Sequence, residues 1–593
     1  MLFFTRDFAK LFFISSLVFS SIILSTSDVE SASTTPSVTL PDVFQRPENR
    51  TFNKFEKKNL PLSKIQNLKD HEQSDEGLEI ISNTLIILAP KELQQKVDFT
   101  KYQQQVIGIP KSIKDFYNIA ADIQKEFKIK GFPLVRVIVP KQELEPENAT
   151  VFLKVIGGFI EKVDLKKVPV MQKLRTFSYL KPLIKRKALT EDFLTRQLLL
   201  AGNTVGLTLK SAMVQGETEG GAILVLEAKH KYFSGNVQFN NTQSEELGRQ
   251  LGQKSLTLNS PAGFGETVTF FGLSKPTLKG MKGTGDNVRI RGGGFALSLP
   301  IGNNGLNTSI AYVESMTRPG VDLQALGLEA NMKSATLTTS YPLVLEKNRL
   351  WTARATINWA DEIQQTNISG EDEPLSHDRL TSLRIGLNYS GCAKGCATFD
   401  AEISRGLEIA SRSASDSTGG TPLSRTSGTS SYTHFNVDAS YSQNLYENIQ
   451  AKINAGGQYT DDGLLNSEQA SIVGENKISS LTAGAISGDK VWYVRGQLNY
   501  PKQLSNNLLL IPYLYSAMGV GFLNKATTTE NKQNAAKSVG IGINISGNDM
   551  YFFEKSISTK IEFSKTWATQ RMEDVSDVRL NKNQALVTMA MTF

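Results

Sequence analysis

The sequence predicts a membrane all-β barrel of 16 antiparallel strands, preceded by two small α+β domains. Three patterns predict this fold class: a secretion-signal-like start, a repeated order of strands and helices up to about residue 230, and alternating apolar and polar residues beyond it. The 593-residue chain has a net charge of +7, a small and evenly spread excess that does not indicate a nucleic-acid partner. Its two cysteines cannot staple so long a chain, so packing or sheet closure must stabilise it.

Residues 1–31 are predicted to be a secretory signal peptide. Arg6 and Lys10 precede an apolar run of 14 residues at 11–24, and small residues follow it. A membrane-spanning helix needs about 20 residues, whereas a positive start and a short apolar run are typical of a signal peptide. A buried N-terminal helix is the alternative. No later stretch is apolar enough for a helical span, so we expect a mature protein without a helical anchor.

Residues 32–75 form a polar lead with one candidate short helix near 42–58, against which Pro47 argues. Residues 76–157 and 158–230 then share one order of elements, namely a strand, helical segments and two strands. In the first unit, 77–88 is a strand pair or a strand with a turn, and Ser112 and Asp115 open a clear helix that Gly131 ends. In the second, 170–184 is predicted to be helical, and Thr190 opens a second clear helix that Gly202 closes. The units resemble POTRA modules; two unrelated α+β domains are the alternative.

From residue 231 to 593 the period changes from helical to two. In one segment Trp351, Ile357 and Trp359 share a face, and Arg354 lies on the other. The polar faces carry ionised groups, which a lumen tolerates but which cost about 2–4 kcal/mol at a lipid-facing midplane. Aromatic residues at segment ends also favour a membrane barrel over a soluble sandwich. The predicted strands begin near residues 232, 249, 267, 289, 306, 331, 350, 378, 396, 430, 449, 491, 507, 537, 556 and 583, with short turns alternating with long loops.

Side chains on the polar faces are predicted to line the lumen, and they are Arg354, Arg384, His434, Asp438, Arg495 and Ala517. Asp400, Glu402 and Glu562 belong to the same faces and are interpreted as pore lining, not catalytic acids. The last strand carries an alternating apolar face of Val587, Met589, Met591 and Phe593. A terminal aromatic on such a strand resembles the signal that the barrel-assembly machinery reads.

The full arrangement resembles the transporters of two-partner secretion, the hemolysin secretion and activation family. Its most local support is the stretch Ser487-Gly488-Asp489 followed by 492–495 (WYVR), at the end of a long loop at about 461–490, here called the lid loop. The family has an arginine at the lid tip, but the matching positions here are Ile478, Ser479, Ser480 and Leu481. The family's aspartate on strand thirteen, which pairs with that arginine, is replaced by Ala517.

The absence of both the lid-tip arginine and its aspartate is physically coherent, because either one alone would be an unpaired buried charge. Either the lid loop docks through hydroxyls and backbone, or the protein is a divergent member. Arg495 lies on the lumen face of a strand, and that position requires no special function. We expect that introducing Ser479→Arg together with Ala517→Asp alters pore opening.

The sequence offers no evident catalytic chemistry. Its four histidines lack metal-ligand spacing, no phosphate-binding glycine loop opens a helix, and no serine–histidine–acid set stands out. We therefore expect no cofactor and no enzyme activity. Cys392 and Cys396 lie in a predicted turn, where a local disulfide in an oxidising compartment is favoured and free thiols are the main alternative.

The predicted function is an outer-membrane pore with POTRA-like domains in the periplasm. The resemblance implies that a large secreted β-helical exoprotein, adhesin- or hemolysin-like, is bound unfolded and exported without ATP. The other expected partners are outer-membrane lipid and, during biogenesis, the barrel-assembly machinery. A factor that assembles or inserts other outer-membrane proteins is the main alternative, and a porin or an outer-membrane enzyme is the third.

Overall fold

The computed structural model describes residues 79–145, 148–275, 289–368, 370–413, 416, 420–528, 530–548, 556–571 and 583–593. The predicted signal peptide at 1–31 and the polar lead at 32–75, with its helix near 42–58, lie outside these ranges. Within them, no helix has the length and apolar character required to cross a membrane.

The first α/β unit is a four-stranded sheet covered by helices. Its elements are β1 (Glu79–Leu88), α1 (Lys91–Gln94), α2 (Thr100–Gln104), β2 (Pro110–Ser112), α3 (Ile113–Ile129), β3 (Arg136–Ile138) and β4 (Ala149–Ile156), in the sheet order β2-β1-β4-β3. Ser112 and Asp115 form the predicted capping box, and hydrogen bonds from Ser112 lower the pKa of Asp115. The described part of 77–88 is one continuous strand, not a pair, and it pairs with β2 over 79–81 and with β4 over 82–88.

The second unit repeats this architecture with a three-stranded sheet. Its elements are β5 (Phe159–Lys167), α4 (Val170–Leu180), a 3₁₀ turn (Lys181–Leu183), α5 (Glu191–Gly202), β6 (Leu207–Gln215) and β7 (Gly221–His230), in the order β5-β7-β6. In both units the first strand pairs in parallel with the last, which also has an antiparallel neighbour. The parallel pairing requires a crossover, and the helices supply it. The repeat predicted from the order of elements is therefore present in the topology.

Sixteen antiparallel strands close the barrel. They are β8 (Phe233–Asn240), β9 (Leu251–Asn259), β10 (Thr267–Ser274), β11 (Ile290–Ile301), β12 (Leu306–Thr317), β13 (Glu329–Leu345), β14 (Arg349–Thr366), β15 (Glu373–Cys392), β16 (Cys396–Leu407), β17 (Thr433–Tyr446), β18 (Ile449–Tyr459), β21 (Lys490–Asn499) continued by β22 (Lys502–Ser505), β23 (Leu508–Phe522), β24 (Gln533–Asn548), β25 (Ser556–Arg571) and β26 (Asn583–Thr592). Each predicted start lies within five residues of the observed one. The alternation therefore located every strand.

The barrel closes through a short pairing between its first and last strands. Residues 588–592 of β26 pair with 236–240 of β8 at five positions, whereas β14 and β15 pair at 18. The terminal Phe593 exchanges two backbone hydrogen bonds with Gly235, of 2.8 and 3.0 Å. A Cβ at Gly235 would lie 2.3 Å from the Phe593 ring. Glycine is thus required where the terminal aromatic ring crosses the first strand.

The second α/β unit packs against the short turns of the barrel. The Arg175 guanidinium donates to the Gly302 carbonyl (2.7 Å), and that of Arg196 donates to the Pro342 carbonyl (2.7 Å). Leu345 and Leu350, which flank the next turn, join the apolar core of this unit. The short turns and the α/β units are consequently on one side of the barrel, and the long loops are on the other.

Candidate gate inside the barrel

The lid loop, residues 460–489 in the structure, folds back against the inner wall of the barrel. Two short strands, β19 (Ala470–Ser471) and β20 (Ser487–Gly488), pair near its base. Its buried apolar side chains pack on aromatic residues of the wall, and this cluster includes Ile472, Ile478, Leu481, Ile486, Tyr493, Tyr513 and Tyr515. The loop is therefore docked in the lumen and does not hang outside it.

The predicted tip residues lie at the centre of this contact. Ile478, Ser479, Ser480 and Leu481 are all buried. The Ser479 hydroxyl donates to a Glu562 carboxylate oxygen of β25 and accepts a 2.6 Å hydrogen bond from Arg495 Nη1 of β21. The Ser480 hydroxyl donates to Ser538 Oγ (2.8 Å) and accepts from Thr566 Oγ1 (2.5 Å). The tip therefore docks through hydroxyl groups, one of the two alternatives that the missing arginine left open.

The two hydrogen-bond partners of Ser479, Arg495 and Glu562, form a buried ion pair with each other. Arg495 Nη2 lies 3.0 Å from Glu562 Oε2, and the two side chains are 1% and 0% exposed. Tyr513 donates to the same carboxylate oxygen at 2.8 Å. The Arg495 guanidinium also stacks on the Tyr515 ring at 3.6 Å. Each charged group has several partners, as a buried pair requires.

The structure corrects the interpretation of Arg495 that was drawn from the sequence. Its position on the inner face was assigned no special function, whereas its guanidinium contacts both the lid tip and Glu562. Ala517, which stands where the family's aspartate was expected, lies directly across from Arg495 in the β21–β23 register. The lumen therefore does contain an arginine–carboxylate pair, but both charges come from the wall and the lid contributes a hydroxyl.

A second set of contacts fixes the base of the lid loop. Asp489 is fully buried, and its carboxylate accepts from Arg425 Nη1 (3.0 and 3.1 Å) and from the backbone N–H groups of Leu464 and Asn524 (3.1 and 2.7 Å). Arg425 also pairs with Glu530 at 2.7 Å. These residues belong to three different long loops, so Asp489 ties the lid loop to its neighbours at the outer mouth.

The glycine and serine before Asp489 have a structural explanation. Gly488 and Ser487 form β20, which pairs with Ala470 and Ser471. A Cβ at Gly488 would lie 2.8 Å from the Phe522 carbonyl oxygen of β23. Because the backbone approaches the wall so closely here, only glycine fits without displacement.

The remaining predicted lumen residues also lie on the inner face and form ion pairs or hydrogen bonds there. Arg384 lies 2.8 Å and His434 lies 3.2 Å from Glu468 of the lid loop. Arg354 contacts Asp400 and Glu402 at 2.5 and 2.9 Å, within the wall. Asp438 accepts from the Tyr493 hydroxyl. Two of these wall groups, Arg384 and His434, therefore hold the loop as well.

The other predicted site residues lie away from the lid loop. Cys392 and Cys396 are joined in a disulfide at the short turn between β15 and β16. Val587, Met589 and Met591 lie on β26, where the side chain of Met589 is 47% exposed. No group of three or more potential metal ligands occurs in the described ranges.

Comparison with known proteins gives a consistent assignment. The family model described as haemolysin secretion/activation protein ShlB/FhaC/HecB matches residues 220–545. The outer membrane transporter CdiB of Dickeya dadantii (strain 3937) is 21% identical over 392 residues, which cover 66% of this chain and 67% of CdiB. The heme/hemopexin transporter protein HuxB of Haemophilus influenzae (strain 86-028NP) is 19% identical over 473 residues, covering 77% and 79%.

Solved structures show the same fold. CdiB from Escherichia coli matches with a TM-score of 0.66 at 15% identity, covering 89% of this chain and 93% of that one. CdiB from Acinetobacter baumannii matches with a TM-score of 0.58 at 14% identity, with the same coverage. The barrel and the preceding α/β units are thus shared in architecture with these proteins.

Proposed function

The chain belongs to the haemolysin secretion and activation family, and from this premise we propose that it exports one large, β-helical partner, adhesin- or haemolysin-like, in unfolded form. Members of this family are two-partner secretion transporters, so the chain is an outer-membrane pore that translocates a secreted partner protein. Its POTRA-like domains are in the periplasm, on the side of the short turns.

The observation that best supports export is that a long loop folds back into the lumen and packs on its wall. The lid loop is held by hydroxyl contacts at Ser479 and Ser480 and by ion pairs at Glu468 and Asp489. Water and a passing polar chain can replace these polar contacts one at a time, and the apolar contacts of the loop are limited to one cluster on the wall. Displacing the loop would open a polar path, and folding of the partner outside would then prevent its return without ATP.

The proposal assigns a role to each part of the chain. Residues 1–31 are a signal peptide, and 32–75 contain a segment that plugs the pore. Residues 76–157 and 158–230 bind the unfolded partner by adding it as a strand to a sheet edge, where backbone hydrogen bonds supply affinity without demanding one sequence. Residues 231–593 form the pore, in which Cys392 and Cys396 staple a periplasmic turn.

The outer face of the barrel and the last strand have proposed partners too. Lipid covers the exposed apolar side chains of the wall, for example Ile385 and Phe563, which are 56% and 58% exposed. The barrel-assembly machinery reads the face formed by Val587, Met589, Met591 and Phe593 during biogenesis.

Deleting residues 76–230 tests whether the α/β units serve export. We expect the partner to accumulate in the periplasm, because the pore has lost the surface that binds it, while the purified barrel still conducts ions in planar bilayers. The measurement is the distribution of the partner between periplasm and medium, with the full-length chain as control. Undiminished export by the deletion variant would contradict the proposed binding role.

A factor that inserts other outer-membrane proteins is the second candidate. The short pairing between β8 and β26, here called the seam, favours it. With five paired positions, this is the shortest junction between neighbouring barrel strands in the described ranges, and an insertion factor must expose strand edges to its substrate. A pore that exports through the lumen needs no opening of this seam.

A disulfide across the seam separates the two functions. Gln238 and Ala590 are directly paired, and such pairs have Cα atoms close enough to be bridged when both are cysteine. With Gln238→Cys and Ala590→Cys we expect export within about twofold of the parent, measured as partner in the medium with and without reductant. The control is Gln238→Cys alone. Loss of export that reductant restores would instead indicate a function that requires the seam to open.

A further inference from the structure

Two lysines of the inner wall lie beneath the lid loop near its turning point. Lys452 lies in the first half of β18 (Ile449–Tyr459), and Lys560 lies in the first half of β25 (Ser556–Arg571). Both positions are close to the periplasmic ends of their strands, since these strands follow connections on that side. We call this pair the cationic site.

The lid loop itself covers the cationic site. The Glu475 carboxylate lies 3.3 Å from Lys560 Nζ, and Asn476 Oδ1 accepts a 3.2 Å hydrogen bond from Lys452 Nζ. The Lys560 side chain is 12% exposed, whereas that of Glu475 is 58% exposed. On the periplasmic side of the lid loop, a carboxylate therefore covers Lys560 and an amide oxygen covers Lys452.

Among the described residues, the cations of this region outnumber its wall carboxylates. Lys452, Lys560 and Arg495 face one described wall carboxylate, Glu562, which lies 3.0 Å from Arg495 and 3.7 Å from Lys560. In the described part of the chain, Lys452 has no carboxylate within 4 Å. Lys477, the remaining charged group of the turn, donates to the Ser471 carbonyl at 2.8 Å. Withdrawal of Glu475 would leave the excess positive charge of the wall uncompensated.

We propose that the cationic site binds carboxylates of the exported polypeptide when the lid loop leaves it. This inference rests on the proposed export function and adds the chemical class of the segment that enters first, an acidic stretch of unfolded chain. A carboxylate from the partner replaces that of Glu475 on Lys560, so the number of ion pairs is conserved during displacement. Replacing one carboxylate by another lowers the free energy needed to open the lid, because no charge is left unpaired in a confined lumen.

Peptide binding to the full-length protein in nanodiscs tests this site. The probe is a fluorescein-labelled dodecapeptide of alternating glutamate and serine, and the matched peptide has glutamine for glutamate. By fluorescence anisotropy at low salt, we expect the acidic peptide to bind at least about tenfold more tightly, with an affinity that falls as salt rises.

Substitutions of Glu475 and of the two lysines should change the affinity for the acidic peptide in opposite directions. Glu475→Gln should strengthen binding of the acidic peptide by about two- to fivefold, because it removes the internal competitor. Lys452→Gln with Lys560→Gln should weaken it at least about fivefold. The matched controls are Lys347→Gln and Glu346→Gln in the periplasmic turn after β13, which should change nothing, and heat-dependent gel mobility verifies that each variant is folded.

These experiments can refute the cationic site and the export proposal separately. Equal binding of the two peptides, or equal effects of Lys347→Gln and the double lysine substitution, would overturn the cationic site even in a chain that exports its partner normally. Binding with the predicted signs by a chain that leaves its partner in the periplasm would support the site and overturn export as its purpose.

Discussion

Replacing Arg495 by glutamine should open the pore. The substitution leaves the fully buried Glu562 without its main partner and removes the donor that holds Ser479 at 2.6 Å. Breaking one side of a buried ion pair typically costs about 3–5 kcal/mol, and Lys560, at 3.7 Å from Glu562, offsets part of that. Since about 1.4 kcal/mol corresponds to a factor of ten, we expect at least a tenfold increase in the open fraction in planar bilayers.

Two further variants identify the cause of that opening. Arg495→Gln combined with Glu562→Gln should be more closed than Arg495→Gln alone, because two neutral amides leave no unpaired charge in the lumen. Arg354→Gln is the matched control, since Arg354 is a largely buried wall arginine whose ion-pair partners in the described ranges, Asp400 and Glu402, also belong to the wall and not to the lid loop. If Arg354→Gln opens the pore as much, the effect is a distortion of the barrel and not release of the lid.

The strands were predictable because their signal is local. A strand that separates lipid from water must change polarity at every residue, and β14 does so: Ile357 is 47% exposed on the outer face and Thr356 is buried on the inner one. The length of the central strands was not predictable in this way. β13, β14 and β15 have 17, 18 and 20 residues, because pairing continues into the extracellular region, where no lipid enforces the alternation.

The contacts of the gate depend on geometry that alternation does not contain. The period of two places Arg495 and Glu562 on the inner face, but they are 67 residues apart on β21 and β25, strands that are not neighbours. Their meeting depends on the curvature of the closed barrel and on the path of the lid loop between them. Arg425 and Asp489, 64 residues apart in two loops, were unpredictable for the same reason. The local motif at Ser487-Gly488-Asp489 indicated where the loop is fixed, but not its partner.

An arginine at the lid tip should act in opposite directions depending on residue 517. Ser479→Arg alone would place a second guanidinium beside Arg495 Nη1, which lies 2.6 Å from the present hydroxyl. Two cations would then compete for Glu562, and like charges in a buried site repel. We expect this single variant to expel the tip and to open the pore about as much as Arg495→Gln does.

Adding Ala517→Asp should reverse much of that opening. Residue 517 lies directly across from Arg495 in the strand register and is buried, so an aspartate there supplies the second carboxylate that two guanidinium groups need. A double-mutant cycle over the parent, both single variants and the double variant measures this coupling as open fractions in planar bilayers, and neighbouring groups of this kind couple by about 0.5–3 kcal/mol. The double variant should still differ from the parent, because an arginine is larger than the serine it replaces. Identical opening of all four proteins would mean that the tip does not lie at Arg495, since charges added at a true contact cannot leave the equilibrium unchanged.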